Sequence, residues 1–462
     1  MMKQLYIECT NTATSGLNTG IQRVVRRVVE QLDSIPSSAV TISLVTIKDG
    51  NFYYLETLPD LRQSNEPVSG LGNSKLPPPP PPPPTSKLKV KIARLLRRAR
   101  EVLLERINWS PLHAFLSAPR TRFGLAGILY MLSLVGVYRA LTTIINNTIA
   151  RSKNTSLRPV LFAQGDVLLM LDASSHLPAW GAVRDAKNRG ANIIVVIYDL
   201  IPITHPQFCE QELTDAVRQW IKQASTHVDA YIAISKTVRQ SLQDYLMSIG
   251  TQIENERLGY FYLGADVAKQ QQSGREKLRE MLSKEDSYLI VGTIEPRKNH
   301  QYLLDAFNEL WRQGHRVKLH IVGWVGWKVD KLLHDIEQHP QFNKQLFLWH
   351  DLDDSELVYC YKHSKSLVFP SYVEGFGLPI IEAQHYQLPV LVSDTPIHRE
   401  VGGDSVIYFD INNPADLAKK IAEVEQGSLL LNEGANFDLK QFTWQNSTRR
   451  LMQEIQRINA AL

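Results

Sequence analysis

Residues 367–394 read LVFPSYVEGFGLPIIEAQHYQLPVLVSD, and the order of residue types in this stretch decides the fold. The apolar run 367–369 closes on Pro370 and Ser371, the pattern of a buried strand opening into a loop. Glu374-Gly375-Phe376-Gly377 follows, and its two glycines let the backbone approach a ligand closely. Leu378 and Pro379 predict a helix start, where proline gives up an N–H that has no partner anyway. The helix is expected to reach Tyr386 before a second strand over residues 389–393. The unit is therefore strand–loop–helix–strand, with Glu374 on its loop and Glu382 in its helix.

Such a unit is a cradle for an anion and a sugar. Free N–H groups and the dipole at a helix start favour a phosphate. Carboxylates beside them accept hydrogen bonds from sugar or ribose hydroxyls. Two carboxylates repel a phosphate unless cations are also supplied. Glu295-Pro296-Arg297-Lys298-Asn299 offers those cations directly after a strand expected over 288–293, which contains Gly292. A positive pair at a helix start opposes the dipole, so an anion is needed to justify it.

Arg297-Lys298, the run Glu374-Gly375-Phe376-Gly377-Leu378-Pro379 and Glu382, with seven residues intervening between the two glutamates, together resemble glycosyltransferase family 4. The sequence VGTIEPRKNHQYLLDAF at 291–307 is most similar to its mannosyltransferase branch. The resemblance is strong over 288–409, looser over 5–266 and absent over 65–158. It implies an α/β chain of the GT-B fold, two Rossmann-like doubly wound parallel-sheet domains facing a cleft. An acceptor-binding domain would span 1–266, a nucleotide-sugar domain 267–443, and a last helix, 444–462, would cross back. The implied activity is transfer of a hexose with retention, mannose from GDP-mannose first, to a hydroxyl of a glycan or lipid-linked glycan. By the same resemblance Glu382 holds the ribose hydroxyls and Glu374 the donor sugar. Backbone around Phe376 and Gly377 meets the diphosphate, and Gly292, Gly375 and Leu378 complete the donor set. Arg297 and Lys298 would stabilise the departing nucleoside diphosphate.

Bulk properties are ordinary for a soluble globular protein. The chain has 462 residues, enough for two or three domains, with 44% hydrophobic and 21% charged residues. A net charge of +4 is too small to imply a nucleic-acid partner. Over 85–122, ten basic residues face two acidic ones, a local +8 that leaves the rest of the chain at −4. Three scattered cysteines, Cys9, Cys209 and Cys360, fit a reducing cytoplasm better than a disulfide framework. The N-terminal MMKQLYIECT lacks the apolar core of a signal peptide. A cytoplasmic protein is expected, peripheral at the inner face of the membrane if the basic segment docks there.

Outside the motif, strands and helices alternate, which predicts parallel doubly wound sheets whose ligands sit at strand carboxyl ends. Strands expected at 4–9, 166–171, 193–198 and 230–235 place Tyr198, Asp199 and Ser235 at such ends. The Thr/Asn/Ser/Gly-rich loop 10–20 precedes a helix over 21–32. With Gly16, Gly20 and Arg23 it either approaches a diphosphate or makes an ordinary strand-to-helix turn, and no GxGxxG is present. Asp199 either handles the acceptor hydroxyl or caps the following turn. Tyr198 stands where relatives often have histidine, and His205 either shares the acceptor role or is structural.

Residues 65–158 form an insertion. Eight prolines at 77–84 read as a stiff polyproline II spacer. Residues 87–149 join a basic amphipathic pattern to the uncharged run 123–138, and either meet a membrane surface or pack as a helical subdomain. Asp351-Leu352-Asp353 looks like a metal-binding Asp-x-Asp, but Asp353 and Glu356 have capping-box spacing before a helix over 357–363. His334, His339 and His363 show no ligand pattern, so no metal and no cofactor beyond the nucleotide sugar is expected. The rival reading is a catalytically silent GT-B scaffold or sugar-nucleotide sensor.

Overall fold

The computed structural model describes residues 2–15, 20–32, 40–59, 158–173, 179–265, 275–431 and 437–462. The polyproline run, the 87–149 segment and Gly16 lie outside the described residues, so their readings carry no structural account.

Among the described residues, the first sheet runs β3-β2-β1-β4-β5-β6-β7. Its strands are β1 (Gln4–Glu8), β2 (Thr41–Lys48), β3 (Asn51–Leu55), β4 (Val167–Met170), β5 (Asn192–Ile197), β6 (Ala230–Ala233) and β7 (Leu258–Tyr260). All pairs are parallel except the β2–β3 hairpin. The central strands are apolar without alternation and buried throughout, as parallel strands covered on both faces must be.

The second sheet is parallel throughout, in the order β10-β9-β8-β11-β12-β13. It comprises β8 (Ser287–Val291), β9 (Lys318–Val322), β10 (Leu346–Trp349), β11 (Ser366–Phe369), β12 (Val390–Ser393) and β13 (Ile407–Phe409). The order reverses between β8 and β11. A crevice opens at that point because the connections leave β8 and β11 in opposite directions, and ligands of open α/β sheets lie there. The segments carrying Arg297 and Glu374 leave the carboxyl ends of these two strands.

The final helix, Trp444–Ala461, does return to the first domain. Arg457 donates to the carbonyls of Glu256 and Leu258 at 2.9 and 3.0 Å, and Asn192 donates to Asn459 at 2.8 Å. The loop expected over 10–20 begins instead with a short helix, Thr10–Thr14. The cause is tertiary: Asp172, beyond the end of β4, accepts the Thr12 amide at 2.6 Å. The Asp353–Glu356 capping box is present in both directions, 2.9 and 3.1 Å, and opens the helix Asp354–His363. Arg275 ties it down by ion pairs of 2.8 Å to both Asp351 and Glu356. These acidic groups are thus used for structure.

Candidate active site

β8 ends in the Gly292 segment, and a 3-10 turn follows over Pro296–Lys298. Asn299 then adopts a left-handed conformation, φ 58°, which its short polar side chain tolerates, and the helix His300–Arg312 starts beyond it. Arg297 and Lys298 therefore precede the helix rather than sit in its first turn. Both point inward. Arg297 pairs with Glu374 and with Glu295, each at 2.6 Å, and Lys298 pairs with the other Glu374 oxygen at 2.6 Å. Lys298 also lies 4.8 Å from the centre of the Phe369 ring, at the end of β11. The anion that the sequence demanded for this positive pair is supplied here by two carboxylates of the chain itself.

Burial would raise the pKa of Glu374, but Arg297 and Lys298 outweigh it and hold the carboxyl down at about 2. For Glu295, burial prevails and its pKa is raised despite Arg297. Burial likewise pulls Lys298 below the ordinary lysine value, against the opposing pull of Glu374. The cluster is a set of interacting charges on largely buried side chains, a setting in which a developing charge is felt strongly.

The glycine loop is held against the first domain. A Cβ on Gly375 would lie 2.2 Å from the Tyr198 carbonyl, and the Ser235 hydroxyl donates to the Gly375 carbonyl at 3.0 Å. No residue but glycine fits that approach. Gly377, at φ 98°, turns the chain into the helix Leu378–His385, whose second residue is Pro379. Phe376 is buried, its ring 5.8 Å from Tyr262 and 6.1 Å from Phe442.

Asp199 meets this loop from the first domain. It accepts the Ile201 amide at 3.0 Å, so it does cap the turn Ile201–Thr204. Burial raises its pKa, Arg297 lowers it, and Glu374 adds to the rise, which places Asp199 in the same charge cluster. Tyr198 is engaged elsewhere, its hydroxyl donating to the Leu171 carbonyl at 2.8 Å. His205 bonds Thr204 at 2.9 Å and stacks on Phe208. Gly20, at φ 49°, precedes the helix Ile21–Leu32 that carries Arg23.

Arg23 reaches across to Glu382 in the second domain. Its guanidinium pairs with one oxygen of Glu382, and the Tyr361 hydroxyl donates to the other at 2.6 Å. Tyr361 and Glu295 had no assigned role in the sequence, and neither had Glu400. The Glu400 carboxylate accepts the amides of Lys236 and Thr237 at 2.6 and 2.8 Å, capping the helix Lys236–Ser248 of the first domain from the second. Among the described residues no group of three or more metal-ligating side chains is gathered.

Residues 275–436, which include this whole cation and glycine-loop apparatus, match the family model of glycosyl transferases group 1. Over 311 residues the chain is 33% identical to the serotype-specific mannosyltransferase WbdA of Escherichia coli, covering 64% of this chain and 38% of that protein. It is 33% identical over 164 residues to O-antigen chain mannosyltransferase B of Escherichia coli, 35% of this chain and 43% of that one. The chain thus spans about two fifths of the length of these relatives. The crystal structure of HepE from Anabaena with UDP and glucose shares the fold, with a TM-score of 0.54 at 12% identity, over 99% of this chain and 100% of that one. The architecture is GT-B, and its second domain is the part that matches the glycosyl transferases group 1 model.

Proposed function

We propose that the protein is a retaining hexosyltransferase of family 4 that moves mannose from GDP-mannose to a hydroxyl of a glycan, in polysaccharide or lipid-linked glycan synthesis. The observation that carries this reading is the pairing of Arg297 and Lys298 with Glu374 at the switch point between β8 and β11. In the resting charge pattern the two cations are balanced by Glu374 and Glu295. An incoming diphosphate takes over the cations, and Glu374 turns to the hydroxyls of the donor sugar. As the bond to the anomeric carbon breaks, negative charge grows on the leaving phosphate, where Arg297 and Lys298 stabilise it without a metal. The leaving oxygen accepts the proton of the acceptor hydroxyl on the same face, which preserves configuration, and Asp199 orients that hydroxyl. Glu382, already carrying Arg23 and Tyr361, keeps acceptor capacity for ribose hydroxyls, because a carboxylate has about four lone-pair sites.

The relatives named as mannosyltransferases support the choice of sugar. Melting curves with GDP-, UDP- and ADP-sugars test it, since a ligand of the native state raises the midpoint. A GDP-mannose shift with mannosyl transfer is expected; a shift with UDP-sugars alone would replace the donor assignment. The basic 87–149 segment is proposed, from its sequence, to bring the protein to anionic lipid, and flotation with anionic vesicles tests that.

A further inference from the structure

Five aromatic side chains lie on the segments next to Asp199 and Arg297, and the chemistry above uses none of them. Trp324 is 64% exposed, and Trp327 and Tyr372 are 38% exposed, while Phe208 and His205 are half-buried. They are not scattered. Phe208 lies between His205 and Tyr372, at 6.2 and 5.3 Å between ring centres with planes inclined by 9° and 21°. The Trp327 indole N–H donates to the Phe208 carbonyl at 2.9 Å. The row is also tied to the catalytic loops: the Tyr372 amide donates to the Arg297 carbonyl at 2.8 Å, and the Ile294 amide to the Trp324 carbonyl at 2.8 Å. His205 is joined to Asp199 by the single turn Ile201–Thr204.

We propose that His205, Phe208, Tyr372, Trp324 and Trp327 form a stacking platform for successive pyranose rings of the acceptor glycan, delivering its terminal hydroxyl to Asp199. This rests on the glycosyl-transfer reading. A contiguous group of exposed large aromatics marks a binding surface. A pyranose presents a flat face of C–H groups to such rings and turns its hydroxyls outward. The local charge suits a neutral partner: Lys328 donates to the Cys209 carbonyl at 2.6 Å and lies 3.8 Å from Glu210, so this lysine is already matched within the chain. Both halves contribute, His205 and Phe208 from the first domain and the rest from the second. The platform is complete only when the halves are together.

The test titrates the full-length protein with α-linked mannose oligosaccharides of two and six residues, reading tryptophan emission. The longer probe should bind roughly tenfold more tightly, the increment of one or two good ring contacts. In Trp324→Ala and Trp327→Ala that length dependence should vanish; melting curves without ligand confirm that these surface variants are folded. Hydrolysis of GDP-mannose by the unsubstituted protein reports separately on the transfer reading. Length-dependent glycan binding with no hydrolysis of any nucleotide sugar would sink the transfer reading and leave the platform standing. Hydrolysis together with glycan affinities untouched by either variant would overturn the platform. So would a tryptophan response to anionic vesicles and not to glycan, or a loss of nucleotide affinity in the variants with glycan binding intact.

Discussion

The guanidinium of Arg23 rests on the carboxylate of Glu382, 359 positions later in the chain and in the other sheet domain. The residue that the family resemblance assigns to the ribose is thus already oriented, before any nucleotide arrives, by the acceptor-side domain. Arg23→Ala is expected to weaken binding of the free nucleoside diphosphate by roughly tenfold, the scale of one charge-assisted hydrogen bond. Calorimetry measures it. Unchanged or tighter binding would show that Arg23 competes with the ribose instead of orienting its partner.

Glu374 and Glu382 should separate kinetically. Glu382→Ala should reduce nucleotide affinity, whereas Glu374→Ala should reduce turnover more than affinity for the free nucleoside diphosphate. An equal loss of affinity in both variants would contradict the assigned roles.

Removing both Arg297 and Lys298 should lower kcat/KM by an amount on the order of 3 kcal/mol, comparable to losing a preorganised donor to a developing oxyanion. Activity of the unsubstituted protein should survive EDTA. Abolition by EDTA with rescue by manganese would assign the leaving-group charge to a metal.

The Glu374 pairing also has a pH signature. Its folded pKa, about 2, lies below the ordinary 4.5, so the stability it contributes is complete above 4.5 and lost as pH falls towards 2. Glu374→Gln should therefore be destabilised relative to the parent at pH 6. The gap should narrow by up to about 1.4 kcal/mol per pH unit on acidification below 4.5. Asp199 and Glu295 act oppositely, since burial raises them and their protonation in acid relieves a folded-state penalty. Urea titrations of both proteins at pH 6 and pH 3.5 check the sign.

Glu400 makes a prediction at single amides. In Glu400→Ala the Lys236 and Thr237 amides lose their acceptors, while Val238 keeps the Ser235 hydroxyl at 3.0 Å. Hydrogen exchange should accelerate at the first two and stay slow at the third. Uniform acceleration through the helix would mean local unfolding instead of loss of an interdomain cap.

The motif was legible because its logic is local. Glu374, Gly377, Pro379 and Glu382 lie within one strand–loop–helix unit, and the partners of the Asp353–Glu356 cap are three positions apart. The fold class followed from alternation of apolar strands and helices. What escaped the sequence is what distant pairing decides. Nothing near Arg23 announces Glu382, nothing near Glu400 announces the helix Lys236–Ser248, and nothing in 10–20 announces the Asp172 contact that winds Thr10–Thr14. The Asp199 ambiguity is physical: one oxygen caps a turn while the group as a whole sits in the charge cluster.

The chain passes between the two sheet domains twice, leaving after Ala265 and returning at Phe442, and at this point the Ala265 amide donates to the Phe442 carbonyl at 2.9 Å. Two passages bonded side by side constrain motion far more than one. Sliding or twisting the halves would stretch one passage against the other, whereas swinging about the line through both strains neither. A swing about that line would take Arg23 off Glu382, Glu400 off Lys236 and Ser235 off Gly375 together. The three contacts between the sheet domains would then open and close as one.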